Sequence, residues 1–87
     1  MYVVVAFDLE EVSDYAPAYK ILEKLGLFPV TPGKGLDLPS TTVMGKLSVD
    51  VPAAELRDYI WERLESKGLR PTAILGGVLT DWAARSK

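Results

Sequence analysis

Tyr2-Val-Val-Val-Ala-Phe7, followed by Asp8-Leu-Glu-Glu11, organises the reading of the whole chain. Branched and aromatic residues dominate the first six positions, and no polar residue interrupts them. An unbroken apolar run of this length reads as a β-strand covered on both faces or lying at the centre of a sheet. Charge returns abruptly at Asp8, which places that carboxylate at the rim of the sheet.

Downstream, Ser13-Asp14 supplies short polar side chains suited to capping a helix, and Pro17 fits the first helical turn. Tyr15, Ala18, Leu22 and Leu25 recur at helical spacing with Ile21 beside them, and Gly26 stops the helix. Leu27-Phe-Pro-Val-Thr31 reads as a short strand, and Pro29 assigns it to a sheet edge. Pro32 to Ser40 is rich in turn formers. Thr41-Thr-Val-Met-Gly-Lys-Leu-Ser48 is the next strand, with Gly45 marking a bulge or a close backbone approach. Pro52 opens a second helix whose apolar stripe is Ala53, Leu56, Ile60 and Leu64, and Gly68 closes it. Pro71 to Thr80 reads as a last strand interrupted by Gly76-Gly77. The order β-α-β-β-α-β predicts an α+β, ferredoxin-like sandwich: a four-stranded antiparallel sheet with both helices on one face.

The chain has 87 residues, enough for one domain spanning 1–87, with 81–87 as a short C-terminal tail. A monomer this small is marginally stable, which favours association through a sheet edge or an apolar surface. It contains no cysteine and no histidine. That excludes disulfides, zinc knuckles, thiol nucleophiles and histidine-based triads. The formal charge of −2 gives no global attraction for nucleic acid or anionic lipid. No apolar run approaches the ~20 residues of a membrane span, so the expectation is a cytoplasmic protein without a membrane partner.

Asp8 is the first candidate for chemistry. Its bland role is a strand-end residue satisfying local N–H groups. Its functional role is a general base or a ligand for Mg2+ or Mn2+. A hard cation wants several oxygens, and a two-fold homodimer brings two copies of the same carboxylate together. Glu10 and Glu11 are neighbouring reserves. Gly33-Lys34-Gly35 either wraps a phosphate or builds a turn; its spacing matches no Walker or dinucleotide motif. Ser40, Thr41 and Thr42 place three hydroxyls where a sugar-phosphate backbone could be held, and they are equally ordinary loop and strand residues. Trp61 and Trp82 could stack bases, but packing is the better reading of both. The segment Thr42 to Leu47 has no aromatic residue, which argues against an RNA-recognition motif. Lys67, Arg70, Arg85 and Lys87 are scattered, and suit solubility and helix-end compensation.

The opening Tyr2 to Asp8, the helix from Asp14, Leu38-Pro-Ser-Thr-Thr-Val43, and the helix carrying Glu55, Arg57, Asp58, Tyr59 and Ile60 together resemble a small ferredoxin-fold superfamily. It comprises the CRISPR-associated small nuclease of spacer integration and the endoribonuclease antitoxin of type V toxin–antitoxin pairs. The resemblance runs from Met1 to about Leu79 and is stronger for the antitoxin branch. It implies a homodimer acting on RNA or DNA, with metal-dependent phosphodiester cleavage or plain binding. It carries the aspartate ending the first strand onto Asp8. In that reading Lys34, Ser40 and Thr42 hold phosphate. Two alternatives stay open: a non-catalytic protein-interaction or assembly module of the same fold, and a small-molecule regulatory domain.

Overall fold

The computed structural model describes residues 1–87. Three strands, β1 (Tyr2–Leu9), β2 (Thr42–Lys46) and β3 (Pro71–Leu79), form an antiparallel sheet in the order β2-β1-β3. Two helices, α1 (Tyr15–Lys24) and α2 (Ala53–Ser66), complete the α+β architecture. The apolar opening stretch is therefore the central strand, as its composition requires. Neither helix is long and apolar enough to cross a membrane.

Alternation along β1 explains the layers. Val3, Val5, Phe7 and Leu9 are buried, and they share one core cluster with Ala18 and Leu22 of α1 and Leu56, Ile60 and Leu64 of α2. Both helices thus cover the same face of the sheet. The even positions Tyr2, Val4, Ala6 and Asp8 point the other way, because successive strand side chains alternate. They align with Lys46, Met44 and Thr42 on one side and with Leu79, Gly77, Leu75 and Ala73 on the other. No helix covers this second face; Met44 on it is buried beside the Phe28 bridge and Trp82 of the tail packs on Tyr2, while the end bearing Ala6, Asp8 and Leu75 is open. Of the two readings of the apolar run, the central position in the sheet is the one the fold adopts.

The fourth strand expected at Leu27–Thr31 is a single β-bridge. Phe28 exchanges both main-chain hydrogen bonds with Met44, each 2.8 Å long. The pairing goes no further, for reasons on either side. Gly26 lies in the left-handed region at φ 85° to end α1. Beyond Phe28 the chain closes on itself instead: Thr31 N–H donates to the Leu36 carbonyl at 2.8 Å, Leu38 N–H donates to Pro29 at 3.1 Å, and Val30 bridges Asp37. The buried Thr31 hydroxyl also accepts from Leu36 N–H at 3.0 Å. Main-chain groups committed to this hairpin are lost to β2.

Two glycines are places of close approach. At Gly45 of β2 a Cβ would overlap the carbonyl oxygen of Gly26 and lie 3.0 Å from Leu27 Cδ2. The end of α1 therefore docks directly onto β2. At Gly76 a Cβ would meet the Ala53 carbonyl oxygen at 3.4 Å and Arg57 Cβ at 3.6 Å, which seats α2 on β3. The strand β3 runs unbroken through Gly76 and Gly77. The tail 81–87 has no regular structure, and the Trp82 ring packs edge-on against Tyr2 with centroids 5.4 Å apart. Packing is thus the role the fold gives Trp82.

Candidate functional site

Asp8 stands near the C-terminal end of β1, on the uncovered face, and is exposed. Immediately after it the β1–β3 register shifts: Asp8 aligns with Ala73, but Leu9 aligns with Pro71, leaving Thr72 as an extra residue. Such irregularities bend a strand and re-aim side chains at its end. No hydrogen bond or ion pair engages the Asp8 carboxylate.

Ser40 and Thr42 lie beside it. With Asp8 they line one shallow cavity of about 250 Å³, completed by Ala6, Phe7 and the segment Ala73–Leu75. The reason is the register of β2, which pairs Thr42 with Ala6 and so brings the preceding residues alongside Phe7 and Asp8. Between them sits Thr41, at φ 56° in the left-handed region. That conformation is uncommon for a β-branched residue and costs about 1–2 kcal/mol. Main-chain bonds hold it there. Thr41 N–H donates to the Tyr19 hydroxyl at 3.2 Å, and its carbonyl accepts from Phe7 N–H at 3.0 Å. The Thr41 and Thr42 hydroxyls both donate to the Ser40 carbonyl, at 2.7 and 3.3 Å. The Ser40 hydroxyl has no protein partner. Threonine is a poor residue for a left-handed position, so nothing in the sequence marks Thr41 as the pivot of this loop.

Thr41→Gly tests whether that strain is real. Glycine adopts the conformation without a Cβ clash but loses more entropy on folding. We expect a net gain of about 0.5–1 kcal/mol, read as a rise in melting temperature of roughly 3–6 °C. A fall instead would show that the threonine side chain contributes more than its backbone costs.

Lys34 is not part of this group. It lines a separate cavity of about 340 Å³ with Pro32, Leu36 and Trp82, between the 31–36 turn and the C-terminal tail. The glycines around it do not present converging N–H groups either. Lys34 N–H donates to the Pro32 carbonyl at 3.2 Å and Gly35 N–H to the Thr31 carbonyl at 3.0 Å. The turn consumes two of the three N–H donors that Gly33-Lys34-Gly35 would offer a phosphate.

Asp14 also departs from its sequence reading. Its side chain makes no cap to α1. It is buried, 6% exposed, and accepts from the Arg70 main-chain N–H, Nε and Nη2, each at 3.3 Å. This pair ties the start of α1 to the residue before β3. Arg70 N–H and side chain thus serve one carboxylate, while its carbonyl accepts from Glu10 N–H at 2.9 Å. The Arg70 guanidinium is held above its ordinary pKa, first by the hydrogen bond to Asp14 and then by the charges of Asp14, Glu11 and Glu10. Asp14 and Arg70 lie 56 residues apart, a separation at which no local pattern links them.

As a metal centre one chain is incomplete. No three Asp or Glu side chains gather where they could share a cation. Asp8 offers a single carboxylate, and a divalent ion takes about six oxygens. What the fold and this site define is a small α+β domain with an uncovered sheet face, bearing one free carboxylate and a hydroxyl-rich loop at its rim. Compared with protein-family models, curated proteins and solved structures, the chain has no significant match.

Proposed function

We propose that the chain is a ferredoxin-like protein that acts on nucleic acid as a homodimer, as a metal-dependent endoribonuclease of the CRISPR-associated and antitoxin type. The observation that carries this reading is the shared cavity of Asp8, Ser40 and Thr42 at the rim of an uncovered sheet face. The Phe28 bridge beside β2 supports the ferredoxin-like assignment, since it puts a rudimentary fourth strand at the edge that layout requires.

The uncovered face supports association. Leu75 is 70% exposed and Phe28 44%, and Val4, Ala6 and Leu79 lie between or beside them in register. Contiguous apolar surface of this kind is a site of protein contact. A two-fold axis passing close to the Asp8 end of this face sets one Asp8 against another, which supplies the second carboxylate a single chain lacks. Mg2+ or Mn2+ held by the pair would supply a nucleophilic water at neutral pH and neutralise phosphate charge. Within the chain, Ser40 and Thr42 contact a phosphate oxygen, the Ser40 hydroxyl as the free donor. Lys34 lines a different cavity, and it contacts the nucleic-acid backbone there. The location that goes with this reading is the cytoplasm.

The test is cleavage of RNA and DNA by the purified protein with magnesium or manganese and then with chelator, alongside sedimentation equilibrium. The reading requires a dimer and chelator-sensitive cleavage. A dimer without cleavage or salt-dependent RNA binding leaves the second reading, a non-catalytic assembly module, which the same apolar face favours. Leu75→Glu addresses that face in either case. The side chain is mostly exposed, so the fold survives. Facing like charges cost several kcal/mol, and the dimer dissociation constant should rise by at least about 100-fold. An unchanged dimer would place association elsewhere.

A further inference from the structure

A third concavity lies away from the uncovered sheet face, where the end of α1, the segment joining β2 to α2 and the first half of α2 diverge. Its volume is about 310 Å³, at the low end of the range for small-molecule sites. Leu27, 1% exposed, and Leu56, 7% exposed, form its floor. Half-buried Leu25, Leu47 and Val51 form the walls. The rim is different. Glu55 and Tyr59 stand one helical turn apart on α2, on the same side of the helix. The ion pairs of the molecule are Arg57–Asp58 and Arg70–Asp14, and neither involves Glu55. The Tyr59 hydroxyl has no protein partner, and no lysine or arginine lines the cavity. Glu55 also lies in the first turn of α2, where the helix field favours a negative charge.

An apolar floor with one unpaired carboxylate and one phenol at its mouth selects a particular chemistry. A carboxylate-bearing molecule meets repulsion from Glu55. A purely apolar one fills the floor but gains nothing from the carboxylate and phenol, which stay hydrated at the mouth. An apolar body ending in an ammonium fills the floor, pairs with Glu55 and offers further N–H donors to the Tyr59 hydroxyl. We propose that this cavity is a binding site for a small amphipathic amine, an aryl- or alkyl-ammonium. The inference does not depend on the nucleic-acid reading, because the two sites share no residue.

The probe is 2-phenylethylammonium, titrated into the full chain at fixed pH and ionic strength while amide chemical shifts are followed by NMR. The neutral 2-phenylethanol and the anionic 3-phenylpropionate are the isosteric controls. Shifts should cluster at Leu25, Leu27, Leu47 and Tyr59. The ammonium should bind about three- to fivefold more tightly than the alcohol, the magnitude of one solvent-exposed ion pair, and the propionate more weakly than either. Glu55→Gln, an exposed substitution that leaves the core untouched, should erase the preference for the ammonium and spare alcohol binding. No binding at millimolar probe, equal binding of ammonium and propionate, or shifts centred elsewhere would overturn the proposal. So would concentration-dependent shifts of these residues without probe, since a second copy would then occupy the cavity.

Discussion

Asp8→Asn is expected to reduce divalent-cation-dependent RNA cleavage by at least about 100-fold, the scale of losing a positioned acid–base or charge-bearing group. The melting temperature should stay within about 2 °C of the parent, since substitutions at exposed positions without partners change stability by only a few tenths of a kcal/mol. Both halves of the expectation follow from the same geometry. The carboxylate is exposed and spent on no hydrogen bond or ion pair in the fold, so folding does not need its charge. It also stands beside the Ser40–Thr42 loop in one cavity, so on the proposed reading a phosphate held by that loop would lie against it. In a symmetric dimer the asparagine removes two negative charges from one locus, and a cation gains little from the amide oxygens that remain. The measurement is a cleavage time course on labelled RNA with magnesium, paired with thermal denaturation. Retained chelator-sensitive cleavage in a rigorously purified variant would remove Asp8 from the mechanism. Loss of stability along with activity would assign Asp8 a structural role instead.

The largest effect on stability is expected from Gly45→Ala. The added methyl overlaps the backbone oxygen of Gly26, a rigid acceptor at the end of α1, and comes within 3.0 Å of Leu27 Cδ2. Leu27 is fully buried, but it borders a cavity and can adjust; the rigid Gly26 backbone cannot. Relief requires the helix end and β2 to separate, which opens the core between them. Forced overpacking of this kind costs about 2–3 kcal/mol, or roughly 10–20 °C in melting temperature for a domain of this length. Gly77→Ala is the control. There the nearest atom is Val4 Cγ1 at 3.3 Å, a side chain on the uncovered face. The gain of replacing a strand glycine offsets the crowding, and the net change should be under about 1 kcal/mol. Equal effects at both positions would mean that α1 does not rest on Gly45.

Particular residues show where sequence reasoning held and where it ended. The apolar positions of α1 and α2 gave the buried stripe Ala18 and Leu22, and Leu56, Ile60 and Leu64, because a helix repeats every 3.6 residues whatever it packs against. Gly26 and Gly68 end their helices at positive φ for an equally local reason. The close approach at Gly45 was legible as one of two options, but not which neighbour it admits. The juxtaposition of Asp8 with Ser40 and Thr42 was suggested residue by residue, without a spacing rule that joins them. Lys34 lay on the right kind of loop, but that loop folds toward the C-terminal tail. The cavity bearing Glu55 and Tyr59 was invisible, since its walls come from three separate segments.

By itself, then, the amino-acid sequence set the order of the two helices and of three of the four strands read from it, the side of each helix that is buried, and the central place of Tyr2–Phe7. These follow from periodicity and from chain stiffness at glycine and proline, which act over a few residues. Tertiary structure alone decided that Leu27–Thr31 pairs through one bridge, that Asp14 serves Arg70 instead of capping α1, that Thr41 sits in a left-handed conformation, and that Lys34 is set apart from Asp8. The strand pairing and the Asp14 contact are competitions for the same hydrogen-bonding groups between near and distant partners. Their outcome depends on how the packed core places those partners in space, which no local pattern records.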